Sequence, residues 1–531
     1  MAELVYKHLF EPIRIGNITF RNRIFSSPQD YPGLTAGGRF LTEEAAYFYE
    51  RKAQGGFASV CIGDMIVDAD CGRSHPFQMR GLDPMAKVNM TRVATAIKRH
   101  TAVPAVELVH AGHNADISLM PEGKKFVYGP SAFVRADGVE VRELDEEGIE
   151  DLIRHYTDAA VFAMQTGYKM ITLHGGHGWQ IHQFISPRDN HRTDRWGGST
   201  ENRLRFPIAL IESIRKAVGP RVPIEIRISA KEWLPDGYDF DEGLKIAELL
   251  DGVADIIHVT SGHHEIDMAS MHSSPTMFMP DGHMIEFAAE IKKHVKTPVA
   301  TVGALTDPEM LEEAIASGKA DVVEMGRQMM ADPFLPKKMM EGRTSEIAHC
   351  MRCFVCMDQL RHKRSIRCAI NPQIGREIEN VCMAPIKKTV LVAGGGPAGI
   401  ESALAADKAG HKVILFESGS ELGGKLLCEK HIPFKKEMYR FVETLRAKLK
   451  TSGVEVRLNK ALDEKTAKEM QADVIIAAMG AEPVIIPIPG YDRDNVFTCL
   501  ELAQEHPETG QKVAIIGGGL VGCESAVYFA M

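Results

Sequence analysis

The chain has 531 residues, 44% of them hydrophobic and 25% charged, and 62 Lys and Arg against 71 Asp and Glu leave a net charge of −9. At about 150 residues per domain this predicts three to four domains, with no basic surplus to hold nucleic acid. No apolar run reaches about 18 residues. The start, Met1-Ala2-Glu3-Leu4, has no signal-peptide core, so a cytoplasmic protein without a membrane partner is expected.

Strand-like runs begin near Ile24, Ala58, Ala105, Met170, Ile224, Ile256, Val299 and Val322. Amphipathic stretches between them predict helices, among them Glu43–Gln54, Glu146–Gln165, 204–218, 284–293 and Pro308–Ala316. Strand–helix alternation means parallel βαβ units. Eight of them predict an α/β chain whose residues 1–340 form a (β/α)8 TIM barrel; an open doubly wound sheet is the alternative.

Chemistry in such a barrel sits at the C-terminal strand ends, and polar residues recur there. Ser26, Ser27, Pro28 and Gln29 are read as following strand 1, and Glu107 and His110 end strand 3. His174 and His177 follow strand 4, Arg227 lies in strand 5, and His263 and His264 follow strand 6. Gly303 follows strand 7, and Gly326 and Arg327 follow strand 8. Free backbone N–H groups and a guanidinium at the last two strands suit a phosphate.

Residues 341–385 change character. Cys350, Cys353, Cys356 and Cys368 fall within 19 residues, while the other six of the ten cysteines are scattered. Two CxxC steps sharing Cys353 put three thiolates on one short loop, which suits three corners of a 4Fe-4S cluster. A structural zinc site is the alternative, although zinc more often takes two separated pairs.

Residues 388–417 read as a strand, then Gly394-x-Gly396-x-x-Gly399, a helix, a second strand and the acid Glu417, placed to reach a ribose hydroxyl. Residues 386–510 are therefore expected to be a Rossmann-like FAD domain. A second fingerprint, with Gly517, Gly519 and Gly522, marks residues 511–531 as the start of a nested NAD(P)H domain. On this reading the chain is a fragment, because it ends inside the helix that should follow. The residue choosing NADH or NADPH would then be missing, and turnover with NAD(P)H is not expected.

Three passages carry a resemblance: residues 9–24 (LFEPIRIGNITFRNRI), 174–203 (HGGHGWQIHQFISPRDNHRTDRWGGSTENR) and 326–333 (GRQMMADP). With the cysteine spacing and the Gly394 fingerprint, the whole chain resembles the iron–sulfur branch of the old yellow enzyme family. That branch includes dienoyl-CoA and enoate reductases, trimethylamine dehydrogenase and gut-bacterial flavonoid and bile-acid reductases.

The resemblance implies an NAD(P)H-dependent reductase of a C=C bond conjugated to a carbonyl. Electrons would pass from FAD through the 4Fe-4S cluster to FMN and on to a small-molecule substrate. An amine dehydrogenase or a non-catalytic redox scaffold are the alternatives, and a homo-oligomer is left open. By motif, the FMN positions would be Ser27, Pro28, Gln29, Gly63, Glu107, Arg227, Gly303, Gly326 and Arg327. Glu107 stands where the family usually has Gln. His174 and His177 match the pair that holds the substrate carbonyl. Trp179 replaces the proton-donating Tyr, and its indole N–H is far too weak an acid for that role. His264 is then the expected proton donor, with His263 as its rival.

Overall fold

The computed structural model describes residues 5–379, 383–505 and 508–531; residues 1–4 and Cys382 lie outside them. The chain divides into two compact units, residues 1–379 and 380–531. The cysteine segment therefore belongs with the barrel unit and does not form a unit of its own. Among the described residues no helix is long and apolar enough to cross a membrane.

The first unit is built on eight parallel strands: β1 (Ile24–Gln29), β2 (Ser59–Ile66), β3 (Val103–Val109), β4 (Met170–Gly175), β5 (Ile224–Ser229), β6 (Ile256–Thr260), β7 (Val299–Thr301) and β8 (Val322–Met325). Each pairs with the next, and β8 pairs back to β1, so the sheet closes. Closure rules out the open doubly wound sheet and leaves no barrel edge unpaired. Apolar residues dominate the strands because both faces are covered, by helices outside and packed side chains inside.

Several helices start where the sequence supplies caps. Thr42, Asp145 and Asp239 accept from backbone N–H groups of Ala45, Gly148 and Glu242, and Asp307 caps a helix with Pro308 in its first turn. An antiparallel hairpin, Ile13–Ile15 with Ile18–Phe20, closes the N-terminal end of the barrel. Its Ile13, Ile15 and Phe20 pack on Phe25, Ala105, Met170, Ile256 and Val322. That end is a dry plug, and the opposite end is left for chemistry.

In the second unit β9 (Thr389–Ala393), β10 (Lys412–Phe416), β11 (Glu455–Arg457) and β12 (Val474–Ala477) form a parallel sheet in the order β11-β10-β9-β12. Gly394 turns the chain at φ 108° into the helix Pro397–Lys408. A Cβ on Gly399 would lie 1.9 Å from the Gly394 carbonyl oxygen, so only glycine fits there. The second fingerprint has the same turn: Gly517 sits at φ 115°, and a Cβ on Gly522 would lie 1.9 Å from the Gly517 oxygen. The helix Leu520–Ala530 forms after it, but residues 513–518 join no strand among the described residues.

Candidate active site

The C-terminal strand ends surround a cavity of about 470 Å³. Its wall includes Ser27, Pro28 and Gln29 of β1, Glu107 of β3, His174 of β4 and Arg227 of β5, with His177, Trp179, His264, Gly303, Gly326 and Arg327 from the following loops. One placement differs from the sequence reading. β1 runs on through Gln29, so Ser27, Pro28 and Gln29 are its last three residues and do not follow it. Gly63 also lies inside its strand, β2. A Cβ there would meet the Gln29 carbonyl carbon at 2.5 Å, so its bare backbone is what lets β2 close on β1.

Three imidazoles share one side of the cavity. His174 and His177 meet edge to face with centroids 5.1 Å apart, and His177 stacks on His264 at 4.8 Å. His177 holds a left-handed backbone, φ 60°, which a β-branched or bulky residue rarely adopts. Its backbone N–H donates to Ser229 Oγ at 3.2 Å, and its Nε2 lies 3.0 Å from Thr260 Oγ1. Burial, then the charge of Arg227, push His174 and His177 well below the ordinary histidine range, so both are neutral. The Gly176 N–H points to His174 Nδ1 at 3.4 Å, which leaves the proton on Nε2. His264 is exposed toward the cavity. The protein crowding it, then His263 and Arg227, push it down to about 4, and solvent in the cavity works against that shift.

His263 points elsewhere. Fully buried, it sits 5.5 Å from the ring of His182 in a cluster with Glu232 and Asp189. The reacting atoms of His182, Glu232 and His263 lie within 4.8 Å of one another, close enough for a metal ion. Yet His182 Nδ1 accepts the Gly178 N–H at 2.8 Å, and His263 Nδ1 accepts the Glu265 N–H at 3.2 Å. Both rings therefore carry their proton on Nε2 and offer a donor, not a lone pair. Donors turned toward carboxyl groups do not make a metal site, and His182 Nε2 lies 3.1 Å from the Tyr238 hydroxyl. Burial pushes Glu232 up to about 8 and Asp189 up to about 7.

The rest of the wall fits a planar polar ring joined to an anion. Gln29 Oε1, Glu107 Oε1, Arg227 Nε and Arg327 Nη1 are buried without a hydrogen-bond partner. Gly326 leaves its backbone open beside the Arg327 guanidinium, whose Nη2 is held by the Pro275 carbonyl at 2.8 Å. Unmet donors and acceptors of this kind around one cavity are what a bound heterocycle satisfies.

Cys350 lines the same cavity. Its N–H donates to Gln328 Oε1 at 2.8 Å, while Gln328 Nε2 holds the Ala348 carbonyl. The loop from Cys350 to Cys356 turns through Arg352 and Phe354, both left-handed at φ 54° and 60°. Burial, then fellow thiols, push Cys356 up to about 12. Burial also raises Cys368 to about 11, with Cys350 and Cys353 adding to it.

Sequence reading did not single out Asp30, Asp64, His75, Glu225, His258 or Glu324. The last three form a buried cluster, with His258 Nδ1 3.0 Å from Glu225 and 3.3 Å from Glu324. A signal was present, since polar residues at alternate positions of an apolar strand, as in IEIRIS, point into the barrel.

In the second unit Glu417 follows β10. Its carboxylate accepts the Gly395 N–H and the Gly419 N–H, each at 2.7 Å. It therefore ties the glycine turn to the strand end while standing beside the helix N-terminus, where a dinucleotide's phosphates and ribose lie in such folds.

Residues 8–346 match the NADH:flavin oxidoreductase / NADH oxidase family, and residues 388–531 match pyridine nucleotide-disulphide oxidoreductases. The NADH oxidase of Thermoanaerobacter brockii is 37% identical over 541 residues, spanning 99% of this chain and 81% of that protein. The cinnamate reductase of Clostridium sporogenes is 32% identical, spanning 98% and 81%. A 2-naphthoyl-CoA reductase structure in complex with 2-naphthoyl-CoA superposes with a TM-score of 0.92 at 28% identity, over 99% of this chain and 82% of that one. Flavin and pyridine nucleotide are thus the cofactor classes of this oxidoreductase, and the chain belongs to the NADH:flavin oxidoreductase / NADH oxidase family.

Proposed function

We propose that the protein reduces a C=C bond conjugated to a carbonyl, in an enoate, enoyl thioester or enone, with electrons from NAD(P)H. The carrying observation is one cavity with three imidazoles on one side and the Gly326–Arg327 anion pocket in the same wall. Cinnamate and 2-naphthoyl-CoA, named with two relatives, both conjugate a C=C bond to a carboxyl carbon.

FMN is the flavin assigned to the barrel, with Arg327, Gly326 and Gly303 at its phosphate and Gln29, Glu107 and Arg227 at its ring edge. When bound it supplies hydride transfer to carbon. The chain's own part is positioning and proton handling. Neutral His174 and His177 hold the substrate carbonyl oxygen by N–H donation, which polarises the double bond. The Ser229 and Thr260 contacts keep His177 aimed. His264, open to the cavity, delivers the proton that the α-carbon needs.

Gly394, Gly396, Gly399 and Glu417 are assigned to FAD, and Gly517, Gly519 and Gly522 to the nicotinamide nucleotide. Cys350, Cys353, Cys356 and Cys368 are assigned to a 4Fe-4S cluster, a one-electron carrier. A lone zinc would draw four sulfurs to within about 3.8 Å of one another. Among the described residues, the groups of three metal-ligating atoms within 4.8 Å contain no cysteine.

Anaerobic flavin bleaching tests the reading. Dithionite, a direct reductant, should bleach the flavin, and an enoate or enone should restore its colour. Bleaching by an amine alone, or no reoxidation by any such acceptor, overturns it. Iron analysis should give about four irons per chain; stoichiometric zinc without iron overturns the cluster.

A further inference from the structure

Glu107 departs from the residue type expected at its position, and its surroundings explain how the departure is tolerated. It is 2% exposed, in the middle of β3 between Val106 and Leu108, and it lines the cavity. No N–H reaches its Oε1. Asp64, in the irregular stretch of β2 between Ile62 and Met65 that runs opposite Glu107, lines the same cavity. Two carboxylates set side by side in a buried wall repel each other, which favours one proton held by the pair.

The partners decide which carboxyl carries it. Asp64 accepts from Gln78 Nε2 at 3.1 Å and faces His75 Nε2 at 3.6 Å. Burial would raise Asp64, but His75, then Gln78 and Glu107, outweigh it and hold Asp64 below the usual carboxylate range. Glu107 has no such donors. Burial, then the Asp64 and Glu225 carboxylates, push it well above that range, against the single guanidinium of Arg227. Asp30, on the β1 side of the same wall, is also raised by burial and by Asp64. It adds no compensating positive charge.

We propose that Asp64 and Glu107 share one proton carried by Glu107, so that the cavity wall facing the flavin's pyrimidine edge is an uncharged acid held in place by an anionic Asp64. A neutral carboxyl has one O–H and one carbonyl oxygen, matching the N–H and carbonyl of an amide in number and kind; a carboxylate has only acceptors. With its O–H turned to Asp64, Glu107 keeps a carbonyl oxygen for the ring imide N–H. It sets no negative charge against the ring, which gains electron density on reduction. Asp64 is the positioning residue of this arrangement. The inference rests on the FMN assignment for its consequence, though not for the shared proton.

The test uses the full chain with and without its flavin. At neutral pH the infrared spectrum should contain a carboxylic-acid carbonyl band that shifts in D2O and disappears in Glu107→Gln. Asp64→Asn should keep the Glu107 band at a changed frequency, because its hydrogen-bond acceptor has changed. A band lost in Asp64→Asn but retained in Glu107→Gln puts the proton on Asp64 and overturns the proposal. The second readout is the ratio of FMN affinities in the reduced and oxidised states. Replacing one neutral group by another, Glu107→Gln should move that ratio less than about threefold. An ionised Glu107 would make the same change raise it by about 10²-fold or more. If the wild type takes up no FMN, the flavin assignment fails, and the infrared band in the flavin-free protein still decides the shared proton.

Discussion

His264 stacks on His177 with ring centroids 4.8 Å apart, and its backbone N–H donates to the His177 carbonyl at 3.2 Å. The histidine before it, His263, bridges to the same residue through the backbone but turns its ring to His182. One residue of difference in a loop thus separates a cavity-facing imidazole from a buried one.

His264→Ala should slow reoxidation of pre-reduced flavin by an α,β-unsaturated carbonyl compound by about 10²-fold or more. Flavin content should be unchanged. Stopped-flow absorbance checks this, and equal rates in His264→Ala and wild type would remove His264 from proton delivery. The pH profile carries the sign. With the imidazole pushed down to about 4, its protonated fraction falls as pH rises. The wild-type rate should therefore fall between pH 5 and 8, by up to about tenfold per unit, and the slope should vanish in His264→Ala.

Arg327→Ala should weaken FMN binding by about 10- to 10²-fold, the worth of a charge-assisted hydrogen bond to phosphate. Riboflavin, which lacks the phosphate, should bind both forms alike. Fluorescence quenching titrations of the flavin-free protein separate the two ligands, and an equal loss for riboflavin would move Arg327 away from the phosphate.

Gly399→Ala should release FAD while FMN stays. The added Cβ would collide with the Gly394 carbonyl oxygen at 1.9 Å, forcing the turn and the helix Pro397–Lys408 apart. Chromatography of the extracted flavins gives the FAD to FMN ratio, and a ratio unchanged from wild type would contradict the placement.

Glu232→Gln should become more stabilising as pH rises. Burial pushes the folded-state value of Glu232 from 4.5 to about 8. A raised carboxyl favours folding below its unfolded value, and that advantage is lost as pH climbs through the folded one. Relative to wild type, the variant should therefore gain a few kcal/mol of stability between pH 5 and pH 9. Urea denaturation at the two pH values measures it. A constant difference would mean that Glu232 is ionised in the folded protein.

The strand–helix alternation made the barrel legible in the sequence, because each strand must be apolar along its length and each helix amphipathic whatever the rest of the chain does. The glycine turns were legible for a related reason. Gly517 and Gly522 adopt the geometry of Gly394 and Gly399 although residues 513–518 pair with no strand among those described. Such a turn depends on a few consecutive residues.

What the sequence did not contain was convergence. The choice between His263 and His264 depended on the loop after β6, where strand alternation no longer sets which way a side chain points. The meeting of Asp64 with Glu107, and of Glu225 with His258 and Glu324, depended on how strands far apart in the chain are staggered in the closed sheet. Closure is a property of all eight strands together, so no local pattern announces which carboxyl lies against which, and therefore which of them keeps its proton.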